Sequence, residues 1–243
     1  MSIDWTQHRR KAHGLGRLQE FLKQIVYGGN DGIVTTFAIV AGFAGARADG
    51  VAQIGGLAVL VFGLANLFAD AVSMGLGEFL SGRAQNDLYH NRREMELQAI
   101  AGDPEQERAE LFTILCQRGL PPGEADKVTD ILLRHPEMMA DLMMTYEFGM
   151  HDPAEDSPAV NGLFTFGSFV IFGAVPLVPY FLFDPSQQTF VLSVIATFSA
   201  LTALGLLRWH ATAERMLRTV GETVALGASC AAVAYLVGWL VGG

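Results

Sequence analysis

Two cysteines are all that the 243 residues contain, and Cys116 and Cys230 sit far apart in segments of different character. That scarcity excludes a disulfide framework and a thiolate metal site, and leaves both as packing residues. Charge is scarce as well. Only 17% of the residues are charged against 51% hydrophobic, which places the chain on the membrane side of ordinary globular usage. Basic residues are outnumbered 16 to 25, for a net charge of −9, and no nucleic-acid partner is expected. The first 24 residues are polar and basic, so no cleavable signal peptide is expected.

What the chain does have is long apolar runs. A span needs about 20 largely apolar residues to cross roughly 30 Å of hydrocarbon. Windows of that length give five, at about 25–46, 54–80, 160–183, 188–208 and 221–242. Between the second and third lies a block too charged to enter a bilayer, since residues 87–156 hold 16 of the 25 acidic residues. The expected division is therefore a tail (1–24), two spans (25–80), an acidic helical domain (81–156) and three spans (157–243). Lys and Arg near the spans set orientation. Arg9, Arg10, Lys11, Arg17 and Lys23 precede span one, Arg83, Arg92 and Arg93 follow span two, and Arg208, Arg215 and Arg218 separate spans four and five. The opposite loops, 47–53 and 184–187, offer only Arg47. The N-terminus and the acidic domain are expected in the cytosol and the C-terminus outside.

Span one contains Asp31 among Gly28, Gly29, Gly32, Gly42 and Gly45. Span two reads GLANLFADAVSMGLGEFLSG, with Asn66, Asp70, Met74 and Glu78. Asp70, Met74 and Glu78 are four apart and lie along one helix face, which Asp31 of the neighbouring span could meet. Ionisable groups inside a membrane usually face a bundle interior or a water-filled path; hydration at the interface, or helix capping, is the plainer reading. Carboxylates beside a thioether suit a soft-to-borderline divalent metal, whereas oxygen-only sites favour magnesium or calcium. The glycines allow close helix approach, either within one chain or across a dimer. Pro176 and Pro179 should kink span three, and Thr197, Ser199 and Thr202 should bond backbone carbonyls. His210 lies in the basic loop, where a solvated or interfacial role fits.

The acidic domain reads as a small helical bundle. A first helix, about 81–100, continues span two and ends in Glu94 and Glu96. Pro104 starts the next, PEQERAELFTILCQRG, with Gly119 as its stop. A short helix follows at about 122–134, and Pro136 opens PEMMADLMMTYEFGM. Leu111, Ile114 and Leu115, with Val128, Ile131 and Leu132, recur at helical spacing and are the expected core. Glu107 and Glu110, three apart, share a face; Met143 stands above Glu147, with Met144 beside it. Each acid taken alone reads as a solvated helix surface.

GGNDGIVTTFAIVAGFAGA followed by ADAVSMGLGEFLS closely resembles the first two spans of the vacuolar iron transporter family. PEQERAELFTILCQRGL and MMTYEFGM resemble that family's cytosolic metal-binding domain. The resemblance runs from about residue 20 to the end and implies an all-α membrane protein, with five transmembrane helices and a three-helix cytosolic metal-binding domain between spans two and three. It implies a homodimer with the pathway at the subunit interface, exporting ferrous iron (Fe2+) from the cytosol by proton antiport. Metal ions, protons and the lipid bilayer are then its partners, and no prosthetic group is expected. Carried over by motif, Asp31 and Met74 line the intramembrane path, and Glu107, Glu110, Met143, Met144 and Glu147 are ligands, with Glu96 matching the first-helix glutamate. Two positions depart from the family: Ala99, beside Gln98, replaces a second glutamate, and Asn66 stands where plant members have a glutamate. The site is then expected to hold fewer ions or to hold them less tightly, and proton coupling to rely on Asp31, Asp70 or Glu78. Manganese (Mn2+), Co2+ and Zn2+ fit similar ligands. The expectation is a bacterial-type member in a bacterial inner membrane rather than a vacuolar one. Two rivals remain. A di-iron carboxylate ferroxidase would use Glu-x-x-His pairs, and His90, His135 and His151 of the acidic block form none. A non-transporting metal sensor explains the acidic domain but not Asp31 within a span.

Overall fold

The computed structural model describes residues 17–46, 51–212 and 214–242. Arg9, Arg10, Lys11 and Arg47, which carry part of the expected orientation, lie outside the described residues. Among the described residues there is no strand. After a helical turn at Arg17–Glu20 come α1 (Leu22–Gly45), α2 (Val51–Gly102), α3 (Pro104–Gln117), α4 (Pro122–Leu132), α5 (Pro136–Tyr146), α6 (Pro158–Gly173), α7 (Val178–Leu182), α8 (Gln187–Thr212) and α9 (Met216–Gly242). Four stretches are long and apolar enough to cross a membrane: Gly56–Gly102, Pro158–Leu182, Gln187–Thr212 and Met216–Val241. The chain divides into one unit of residues up to 79 and from 159 onward, and a second of residues 80–158.

Within the first unit, α6 runs parallel to α1 and antiparallel to α2, and glycine decides how closely. A Cβ on Gly28 would lie 2.6 Å from the carbonyl oxygen of Thr165, and one on Gly32 would collide with that of Phe169. The two backbones therefore touch, as small residues permit in lipid. On the other side Gly45 meets the backbone of Tyr235, so α1 and α9 also lie in parallel contact. Of the two roles open to these glycines, Gly28, Gly32 and Gly45 serve packing within the chain. A Cβ on Gly42 would meet nothing nearer than Ala234 O, at 4.0 Å.

The kink expected in span three is present. Helix α6 stops at Gly173, a 3-10 turn covers Val175–Leu177, and α7 resumes at Val178, because proline supplies no N–H and crowds the preceding turn. The Pro176 carbonyl accepts a hydrogen bond from the Ser193 hydroxyl at 2.6 Å. Thr197 and Thr202 bond the carbonyls four residues back, as anticipated. The basic loop between spans four and five is much shorter than expected. Arg208 lies near the end of α8 and Arg218 in the first turn of α9, and both reach Glu222, at 3.1 and 3.0 Å. Pairing lets these side chains stay on helical backbone instead of ending it.

The second unit begins with the distal part of α2, which continues without a break out of the apolar run. Asp103 caps α3, accepting from Gln106 N at 3.2 Å, with Pro104 at the first helical position. Gly119 adopts φ +98° just beyond its end, a conformation glycine takes without strain. Ile100, Leu111, Leu132, Met139, Ala140 and Met143 form the core, with Ile114, Leu115 and Val128 packed against it. Ile131 is not core: it is 49% exposed. The buried face of α4 is set by Ala125, Thr129 and Leu132, and Ile131 lies roughly 120° round the helix from its centre at about 100° per residue. Both cysteines are free.

Candidate metal centre

In the second unit two of the carboxylates named from the sequence, Glu96 and Glu107, meet, with Glu110 and Glu147 nearby. Glu96 projects from distal α2 and Glu107 from the first turn of α3, and each is only 7% exposed. Their carboxyl groups are within hydrogen-bonding reach of each other. One oxygen of each, Glu96 Oε1 and Glu107 Oε2, is buried with no hydrogen-bond partner. Glu94, two residues from Glu96, is exposed and accepts from Gln98 at 3.3 Å, so only one of that pair turns inward. Glu110 accepts from Gln106 at 3.0 Å on the same face as Glu107. Glu147 follows the last residue of α5 and lies close enough to Glu107 and Glu110 to feel both charges.

The electrostatics follow from that crowding. Burial first, and then the neighbouring charges of Glu107, Glu147 and Glu110, push Glu96 up to about 7. Burial and Glu110 raise Glu107 above the ordinary carboxylate range. Glu147 is raised by burial and by Glu110 and Glu107. Two acids this close and this dry resist ionising together. Among the described residues no three His, Cys, Asp or Glu side chains are grouped closely enough to hold a metal ion. A divalent cation would have to displace any protons these acids hold in order to draw in Glu110 and Glu147.

The methionines are placed more ambiguously. Met143 and Met144 are both fully buried, and Met143 belongs to the hydrophobic core of this unit. Core packing is thus established for Met143 whatever else its sulfur does. Arg93 fixes α5 against distal α2 with a fork, at 2.6 Å to Glu137 and 2.7 Å to Asp141. Arg108 does the same between α3 and α4, at 2.6 Å to Asp126 and 2.7 Å to Asp130.

In the first unit the polar groups are strung out rather than gathered. Asp31 and Asp70 are close enough to repel each other. Asp70 Oδ2 accepts from Asn66 Nδ2 at 2.8 Å, one turn along α2. Met74, a turn further on, packs against Leu67, Ala71 and Phe169. Glu78 accepts from Gln24 of α1 at 3.2 Å and lies 3.6 Å from the Lys23 ammonium. Sequence reading missed Gln24, which stands seven residues before Asp31 and so on the same helix face. Helix α1 also carries buried oxygens without a partner at Gln24, Asn30 and Thr36.

Comparison with known proteins adds the context. A family model described as the VIT family matches residues 22–239. Vacuolar iron transporter 1 of Arabidopsis thaliana is 34% identical over 223 residues, covering 91% of this chain and 86% of the relative. Vacuolar iron transporter 1 of Oryza sativa subsp. japonica is 34% identical over 216 residues, covering 89% and 83%. The vacuolar iron transporter of Toxoplasma gondii is 31% identical over 231 residues, covering 91% and 74%. These relatives are eukaryotic and are named vacuolar, so the expectation of a bacterial-type member in a bacterial membrane finds no support.

Proposed function

The chain belongs to the VIT family, and from that premise we propose that it is an integral, multi-pass membrane transporter that moves ferrous iron out of the cytosol. It is a transporter and not an enzyme. The observation that carries the reading is the pair of buried, partnerless carboxyl oxygens on Glu96 and Glu107, with Glu110 and Glu147 beside them. A buried acid pair costs stability unless a proton or a cation compensates it, and a protein that keeps one has a use for the cation. Oxygen ligands with the thioethers of Met143 or Met144 at hand suit ferrous iron, and manganese, cobalt and zinc fit the same set.

Five spans cross the bilayer: α1, α2 to about residue 80, α6 with α7, α8 and α9. Helix α1 has 24 residues, roughly 36 Å at the helical rise, which is sufficient length. Asn30 and Asp31 are what lower its apolarity. The unit of residues 80–158 is cytosolic and collects the cation as its acids lose their shared proton. The cation then passes Glu78, Met74, Asp70 and Asp31, whose spacing on α1 and α2 gives a series of weak stops. Proton antiport supplies the energy and two copies of the chain form the working unit. Each stop in the membrane has at most one or two acids, so none binds tightly enough to trap the ion.

Reconstitution tests this. Proteoliposomes with an acidic lumen, given ferrous iron under reducing conditions, should accumulate it faster than at symmetric pH, with the lumen alkalinising as they do. Flux no greater than in protein-free vesicles, in either gradient, overturns the transporter reading. Flux indifferent to the gradient removes proton antiport alone.

A further inference from the structure

We propose that the cleft between the start of α1, the end of α8 and the start of α9 binds the headgroup of one anionic phospholipid. The cleft measures about 650 Å3 and is lined by Lys23, Val26, Asn30, Arg208, Glu222 and Leu226, among others. It lies at the end of the first unit where these three helices bring their basic residues together. A cleft of this size between membrane helices is filled by something, and in a bilayer lipid is the molecule at hand.

Charge says which kind of lipid. Two cations line the cleft against one carboxylate, and Glu222 is already shared by Arg208 at 3.1 Å and Arg218 at 3.0 Å. Arg208 spends one of its five N–H donors on that contact and keeps the rest. The Lys23 side chain is 77% exposed, and Glu78 is 3.6 Å from its ammonium, longer than a hydrogen bond. Both therefore retain donors for a phosphodiester. Deeper along α1 and α9 the wall carries Val26 and Leu226, the latter 51% exposed, alongside the neutral polar Asn30 and Thr223. Cations at one end of an apolar wall fit a phosphate joined to acyl chains; basic pockets between membrane helices take anionic headgroups for this reason. A free phosphate would use the cations and leave the apolar wall bare. The inference rests on the membrane assignment and not on the identity of the transported ion.

The experiment uses the full chain in detergent, titrated with phosphatidylglycerol, phosphatidylcholine or inorganic phosphate. Native mass spectrometry counts retained lipid and thermal unfolding follows stabilisation. One phosphatidylglycerol should be retained per chain, with roughly thirtyfold preference over phosphatidylcholine if each of the two cations contributes as juxtamembrane basic residues do. Lys23→Gln combined with Arg208→Gln should abolish the preference, while Arg215→Gln, which removes an exposed charge outside the cleft, should keep it. If Arg208→Gln does not fold, Lys23→Gln alone decides, since that side chain is largely exposed. Equal retention of the two lipids, or an unchanged preference in the variants, overturns the proposal. So does stabilisation by inorganic phosphate equal to that by phosphatidylglycerol.

Discussion

The two units handle acidic side chains in opposite ways. In the first, each acid on α2 has a neutral amide beside it: Asn66 donates to Asp70 and Gln24 to Glu78. The acids are separated by full turns of helix. In the second, Glu96 and Glu107 face each other without intervening donors, and Glu110 and Glu147 add to the crowding. A carboxylate standing alone on its helix offers a passing cation a single charge. A crowded, dry pair is costly when ionised and gains most from a divalent cation. The first arrangement suits passage and the second suits capture.

The sharpest way to break that comparison is Asp31→Asn. If passage depends on the strung-out acids, flux should fall about tenfold or more, the equivalent of about 1.4 kcal/mol or greater in the barrier. Ferrous iron binding by the intact chain, read by equilibrium titration, should be unaltered. Loss of both would mean that the two regions act as one site. Next in size is Gly32→Ala. The added Cβ collides with the Phe169 carbonyl oxygen, and overpacking of this kind costs about 1–3 kcal/mol. Gly42→Ala, with 4.0 Å to its nearest neighbour, should leave thermal unfolding unchanged and serves as the matched control.

Capture is tested by pH. Glu96 titrates at about 7 in the folded chain, well above the usual glutamate value of roughly 4.3. A raised acid means the folded state holds the extra proton. The stability this contributes is full below pH ~4 and is lost as pH rises through about 7. A cation that displaces the proton acts in the opposite sense, so the rise in Tm given by ferrous iron should grow from pH 5 to pH 8, with most proton release at the acidic end. Glu107→Gln leaves Glu96 facing a neutral amide. It should weaken iron binding several-fold, on the scale of one lost charge-assisted contact, and flatten that pH dependence. Asp31→Asn should not change it.

Much of this was legible in the sequence, and the failures have physical reasons. Residues 70, 74 and 78 repeat every four, so their common face could be read directly. Glu96 and Glu94 are about 200° apart on a helix, so only one can turn inward, but charge pattern does not say which. Gln24 was overlooked because an amide carries no charge, although its seven-residue spacing from Asp31 puts it on the working face. Ile131 looked like core because it is large and apolar, yet the smaller Ala125 and Thr129 set the packed face of α4. Arg208 and Arg218 read as loop residues because charge ends apolar runs; both lie on helical backbone, where they share Glu222 as a partner.

The smallest effect belongs to the arginine forks. Arg93 and Arg108 each grip two carboxylates, but those acids are more than half exposed, between 52% and 71%, so solvent screens them. Removing either fork should lower stability only slightly. The two should differ in consequence. Arg93 ties distal α2, which carries Glu96, to α5, which carries Met143 and Met144 and leads into Glu147. Arg108 ties α3 to α4, and α4 bears none of the named ligands. Arg93→Ala should therefore loosen iron binding by a few-fold beyond its effect on Tm, and Arg93→Lys should restore only part because an ammonium does not span two carboxylates as a guanidinium does. Arg108→Ala should lower Tm by a similar small amount and leave binding nearly unchanged. Equal binding losses in both variants would mean the forks merely hold the bundle, and that the capture site owes its geometry to the hydrophobic core around Leu111 and Met143 instead.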